Sequence, residues 1–309
     1  MTTTGLTAFN LDMNDLIEEA FERCGLEVRS GYDFRTARRS LNILTIEWAN
    51  RGINLWTVEQ GQIVLNTQQA LYAVPVDTID ILDASTRTNN GSQSNQTDIN
   101  LSRISEPTYM TIPNKNTTGR PVQMWFNRQS GGVASIAQTT IVGGIDADDT
   151  TITLASAANL PTQGFVNIGN ETIGYQNIVG NQIVNAWRGQ NGTVAAAHLT
   201  GVSVFNNQLP CINVWPTPNP PGDQYTLVYY RMRRIQDAGT GIRTQDIPFR
   251  FIPCMVAGLA YYLSAKIPGV DPGRMQMLKA EYEQQFQMAG DEDRETAAVR
   301  FVPRNMFYS

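Results

Sequence analysis

The chain has 309 residues, 41% of them hydrophobic but only 17% charged, with a net charge of −5. That length and apolar content can build a sizeable core and more than one domain. The acidic balance excludes a nucleic-acid binder with a basic footprint, and Cys24, Cys211 and Cys254, odd in number and far apart, exclude a disulfide framework or a paired-cysteine zinc site. Small buried thiols, kept reduced in a cytoplasm during folding, are the simplest reading of these cysteines. The opening MTTTGLTAFN lacks the basic start and apolar run of a signal peptide.

Two helices are predicted first. In NDLIEEAFERCGLEV, Leu16, Ile17, Ala20, Phe21 and Cys24 share one face, and Gly25 is a stop. In DFRTARRSLNILTIEWANRG, Ala37, Leu41, Leu44 and Trp48 recur at 4-3-4, closed by Gly52. The short link predicts antiparallel packing. From Ile53 to Arg128 the pattern turns to strands. GQIVLNTQQALYAVP reads as a hairpin, TIDILDASTR alternates, and TNNGSQSNQTD is a polar loop. RPVQMWFNRQ, INVW and DQYTLVYYRMRRI supply further strands.

Residues 130–205 differ in character. They are rich in Gly, Asn and Thr, with short alternating runs between turn signals, and read as a small all-β domain. Their only charges are Asp146, Asp148, Asp149 and Glu171 against Arg188. Removing them brings QMWFNRQ next to CINVWPTP, two strands able to pair directly. The block therefore reads as an insertion at a hairpin tip, splitting a core of residues 1–129 and 206–309.

Two helices close the folded part. FIPCMVAGLAYYLSAKI, in a helix from about Pro248 to Ile267, is too short and too closely bracketed by Arg250 and Lys266 to span a membrane. The second starts at Asp271-Pro272, and Met275, Leu278, Tyr282, Phe286 and Ala289 mark its packing face. Beyond it, residues 296–309 read as an extended tail. Val299, Phe301 and Pro303 alternate there with Arg300, Val302 and Arg304, which gives the tail two different faces.

Catalytic signals are weak. His198, the single histidine, has no Ser or Cys partner in a nucleophile motif and reads as a turn or surface residue. DADDT at 146–150 has the wrong spacing for a calcium loop. Its carboxylates with Glu171 form a candidate pair for glycoside hydrolysis, but spacing in sequence cannot give the separation that matters. Arg231, Arg233 and Arg234 end a strand and suit phosphate contact or pairing with acidic groups across a subunit boundary. The expectation is a protein that is not an enzyme and uses no cofactor or metal.

Seven segments in order carry a resemblance: TGRPVQMWFNRQ preceded by ISEPTYMTIPNK, then INVWPTP, YTLVYYRMRRIQD, IPFRFIPCMVAGLAYYLSAKIPGV, LKAEYEQQF and DRETAAVRFVPR, with YAVPVDTIDILDA upstream. Together they resemble the head-to-tail adaptor (tail tubular, connector) proteins of short-tailed bacteriophages, over the whole chain except 130–205. The resemblance implies an α+β fold: an antiparallel helical bundle of N- and C-terminal helices with an attached β region, here with a small inserted all-β domain. It implies a structural virion protein at the head-tail junction, assembled in the host cytoplasm as a homo-dodecameric ring. Such a ring joins the portal protein to the tail nozzle protein and surrounds double-stranded DNA without binding it specifically. Tail fibre contacts are a further possibility within the family. The portal-docking tail maps to Val299, Arg300, Phe301, Val302, Pro303 and Arg304. The alternative is tail-associated binding of host-surface carbohydrate through the inserted domain, with Trp187 and Tyr175 as stacking groups.

Overall fold

A computed structural model describes residues 11–53, 55–129, 131–219, 225–239 and 243–293. The tail, with Val299, Arg300, Phe301, Val302, Pro303 and Arg304, lies outside the described residues. The chain divides into two contact-dense units, one made of the segments before Val58 and after Arg234, the other of Val58–Arg234.

The first unit is helical. Helix α1 (Met13–Cys24) starts where the Asp12 carboxylate accepts the Asp15 backbone N–H at 2.9 Å, and it ends at Gly25 with φ +76°. Helix α2 (Gly31–Asn50) starts with the Asp33 carboxylate accepting the Ser30 backbone N–H at 3.0 Å, a side chain reaching back over an otherwise orphaned donor. The short helix α3 (Glu106–Met110) belongs to the second unit. Helix α4 (Ile252–Ser264) is buried along nearly its whole surface and packs against α1, α2 and the last helix, α5 (Pro272–Glu292). Gly258 lets this happen: a Cβ there would come within 2.9 Å of Leu44 and 2.8 Å of the Tyr282 ring. Trp48 Nε1–H donates to Tyr282 Oη at 3.2 Å in the same core. Among the described residues no helix is long and apolar enough to cross a membrane.

The second unit holds every strand among the described residues. Before the Gly-rich block come β1 (Val58–Leu65), β2 (Leu71–Ala73), β3 (Thr78–Thr88), β4 (Thr97–Asn100), β5 (Ser102–Arg103), β6 (Thr118–Gly119) and β7 (Gln123–Asn127). The block itself contributes β8 (Thr139–Thr140), β9 (Ile152–Thr153), β10 (Gly164–Ile168), β11 (Glu171–Tyr175), β12 (Asn177–Val179), β13 (Gln182–Val184), β14 (Trp187–Gln190) and β15 (Ser203–Asn207). After it come β16 (Cys211–Trp215), β17 (Thr217–Pro218) and β18 (Tyr225–Arg233).

Strand β18 is the spine of a sheet ordered β1-β18-β3-β4. Gly61 faces Tyr229 across it, and any Cβ at Gly61 would strike the Tyr229 ring at 2.3 Å. A second sheet, β2-β16-β7-β5, shares a core with the first through Leu65, Ile81, Phe126, Ile212 and Leu227. Strands β7 and β16 are antiparallel neighbours with Trp125 opposite Asn213, the pairing read from the sequence on either side of the Gly-rich block. Strands β17 and β6 pair in parallel as a small fifth sheet.

The Gly-rich block forms the sheets β14-β11-β10-β15-β8 and β12-β13-β9 around Ile152, Val166, Ile173, Tyr175 and Val204. It also shares a core with the strands outside it: Phe165 is buried with Ala70, Leu71, Leu209 and Cys211. Gln69 Nε2 adds a polar tie, donating to Gln190 Oε1 at 2.8 Å.

Two expectations are corrected. The expected α+β architecture, an antiparallel helical bundle with an attached β region and a small inserted β domain, is overturned. The described residues carry eighteen strands in five sheets against five α-helices, and the protein is mostly β, 28% helical. Eight of the strands have two or three residues, too few for an alternation signal that needs four or more. The helices, long and periodic, therefore dominated the sequence pattern. Secondly, GQIVLNTQQALYAVP is no hairpin: β1 pairs with β18 and β2 with β16, in different sheets. The Tyr72 hydroxyl, donating towards the carbonyls of Asn66 and Gln69, holds the crossover between them.

Candidate functional site

The most chemically loaded point is Glu171, the first residue of β11, whose side chain is fully buried. Its Oε1 accepts Arg188 Nε–H at 2.8 Å and the Gly189 backbone N–H at 2.9 Å. Its Oε2 accepts Arg188 Nη2–H at 2.9 Å and the Ala196 N–H at 3.1 Å, and lies 2.8 Å from His198 Nε2. Burial by itself would raise this carboxyl, but the Arg188 fork, the two backbone donors and His198 outweigh it and bring it down to about 2. Arg188 also donates to the carbonyls of Asp146, Asp149 and Ala196. Sheet, acidic turn and the loop carrying His198 are thus fastened to one buried ion pair.

This arrangement brings together five residues the sequence had singled out, Glu171, Arg188, His198, Asp146 and Asp149, yet as a staple. The DADDT turn meets Arg188 through its carbonyls, while the Asp149 carboxylate accepts the Asp146 N–H at 2.8 Å. A carboxylate held ionised and saturated by five donors cannot deliver a proton near neutrality, so Glu171 does not suit the acid of a glycosidase pair. His198 is only 9% exposed at its side chain, not a surface residue, because the carboxylate it serves is inside. Among the described residues no group of three His, Cys, Asp or Glu side chains could hold a metal ion.

The arginines of β18 are also engaged at home. Arg231 pairs with Glu59 at 2.8 Å and Asp77 at 2.6 Å, and Arg233 pairs with Glu59 at 2.6 Å. Antiparallel register places Glu59 directly opposite Arg231. Pairing across a subunit boundary is not needed for these two side chains.

Of the two aromatic residues considered for stacking, Tyr175 is fully buried, with its hydroxyl donating to the Pro161 carbonyl at 3.0 Å. It is core. Trp187 is half-buried and lines a cleft of about 320 Å³ within the β unit. Gln68, Asn116, Gln176, Asn177 and Asn185 line the same cleft, with Thr67 and Thr150. Sequence reasoning found Trp187 and missed the rest, since these residues come from five separated segments. No local signal marks them.

No protein-family model matches the chain, and a search of curated proteins finds no relative of it.

Proposed function

We propose that the chain is a structural virion protein, a head-to-tail adaptor whose copies form a ring between portal and tail nozzle around the DNA exit channel. Support comes first from the ordered segments that resemble such adaptors. The observation that carries the reading is a pair of uncovered apolar stripes on the helical unit. On α2, Tyr32, Ile43 and Ile46 are each more than half exposed, and on α5 so are Met277 and Met288. Tyr32 and Ile43 are eleven residues apart, as are Met277 and Met288; eleven residues is three turns to within a small angle, so each pair shares one helix face. Exposed Arg35 and Arg39 sit along the α2 stripe, whereas the end of α5 is acidic at Asp291 and Glu292. Glu292 is paired with Arg250 of its own chain, so it is the exposed apolar side chains, on two unlike patches, that favour a head-to-tail contact, the type that closes into rings.

The tail supplies the second contact in this reading: Val299, Arg300, Phe301, Val302, Pro303 and Arg304 dock in a groove of the portal. One tail binds modestly after losing its conformational entropy, but tails repeated around a ring bind together at high effective concentration. Negative-stain microscopy of the purified protein, alone and mixed with portal protein, is the test. Rings stacked coaxially on the portal support the adaptor; a monomer indifferent to the portal overturns it.

A further inference from the structure

We propose that the cleft beside Trp187 is a binding site for an uncharged saccharide. The inference concerns the β unit alone and does not rest on the adaptor reading. Three independent features converge on this one place.

The first is idle hydrogen-bonding capacity. The side-chain amides of Gln68, Asn116, Gln176, Asn177 and Asn185 bond to no other described residue, and those of Gln68, Asn116 and Asn185 belong to exposed residues. Each amide offers a carbonyl acceptor and an NH2 donor side by side. Vicinal hydroxyls of a sugar present the matching pair. Among the described residues no lining residue is charged, which disfavours phosphates, nucleotides and carboxylates that need a cation.

The second is backbone strain at the same spot. Gln68 (φ +59°) and Asn185 (φ +53°) occupy the left-handed region although neither is glycine. Glycine would adopt these angles freely and asparagine tolerates them, whereas glutamine there is strained by roughly 1 kcal/mol. The sequence keeps an amide at both positions, and both line the cleft.

The third is the indole. Trp187 rests against Gly174 and Phe165, where a Cβ on Gly174 would lie 3.1 Å from Trp187 Cε3. Its Nε1–H has no partner among the described residues. A tryptophan with one side braced and a free N–H offers an apolar surface to a sugar ring's C–H face and a donor to its hydroxyls. The volume lies at the low end of small-molecule sites and suits one or two sugar rings.

The test uses the full-length chain with a glycan panel of neutral oligosaccharides, plus sialylated and phosphorylated members, read by saturation-transfer NMR and titrated by tryptophan fluorescence. A neutral member should bind with a Kd of about 1 mM or tighter. Asn177→Ala and Gln176→Ala, at two half-buried positions outside the hydrophobic core, should each weaken it by about tenfold without unfolding the chain. Trp187→Ala should abolish it, and if that variant fails to fold, the two amide variants decide alone. Absence of binding by every neutral member at about 10 mM, tighter binding by the charged members, or affinity unchanged in both amide variants would each overturn the proposal.

Discussion

His198 Nε2 and Glu171 Oε2 stand 2.8 Å apart inside the Gly-rich block, so the chain's one histidine is a ligand of a buried carboxylate. The pair is completed by Arg188, 7% exposed at its side chain, against a Glu171 side chain at 0%. Contacts of this kind add a polar anchor to a block whose strands have only two to five residues.

Acid should loosen that fastening. The Glu171 carboxyl is lowered from 4.5 to about 2 in the folded chain, so its contribution is complete above the unfolded value and lost as pH falls from about 4.5 towards 2. Glu171→Gln should cost about 3 kcal/mol at neutral pH, because Arg188 is left buried without its counter-charge. Thermal unfolding followed by tryptophan fluorescence from pH 7 downwards should show variant and parent converging in acid. Parallel curves across the whole range would remove Glu171 from the account.

Gly258 should be irreplaceable by a branched side chain. Tyr282, pinned through its bond from Trp48, cannot retreat from a group added 2.8 Å away. Gly258→Val should therefore destabilise the helical unit by about 1–3 kcal/mol. A far-ultraviolet melt that does not move would show that α4 has room to shift.

Placing a charge on the α2 stripe should separate assembly from folding. Ile46 is exposed, so Ile46→Glu should change stability by no more than about 0.5 kcal/mol. In a ring the same residue would be covered, and the variant should elute as a monomer under conditions where the parent assembles. Met288→Glu is the matching change on α5. Rings that survive both substitutions would place the subunit contact elsewhere.

Truncation after Asp293 removes the tail while leaving α5 with Leu278, Tyr282 and Ala289 in the core. The truncated chain should fold and fail to attach to the portal. Phe301→Ala should weaken attachment by on the order of 2 kcal/mol per copy. Hydrogen exchange gives the decisive contrast: residues 297–304 should gain protection when portal is added. Strong protection already present in the free protein, and unchanged by portal, would mean the tail packs on its own subunit.

All three thiols should be silent in the folded chain. Cys24, Cys211 and Cys254 are free and buried, and burial pushes them up to about 11, about 12 and about 12 respectively. At about pH 8 a thiol-disulfide reagent should label none of them until denaturant is added, since the thiolate is the nucleophile. Rapid labelling of the native protein would contradict the packing described for α1, α4 and β16.

The sequence by itself determined what local pattern can encode. The buried faces of α1 and α2 contain the residues their 3.6-residue spacing marks, from Leu16 to Cys24 and from Ala37 to Trp48. Asp12, Gly25 and Asp271 cap helices as their chemistry dictates, because capping acts within one turn. The adjacency of β7 and β16 was also legible, since both are long enough to alternate and flank the same block. Only the tertiary structure decided that β1 and β2 part into different sheets, and that Phe165 joins the core of strands outside its own block. The same holds for Glu171 gathering Arg188 and His198 and for five separated segments meeting beside Trp187. A helix face is a property of neighbours three and four residues apart. A sheet order, a buried ion pair or a cleft is set by which distant segments exclude water together, and no stretch of chain carries that on its own.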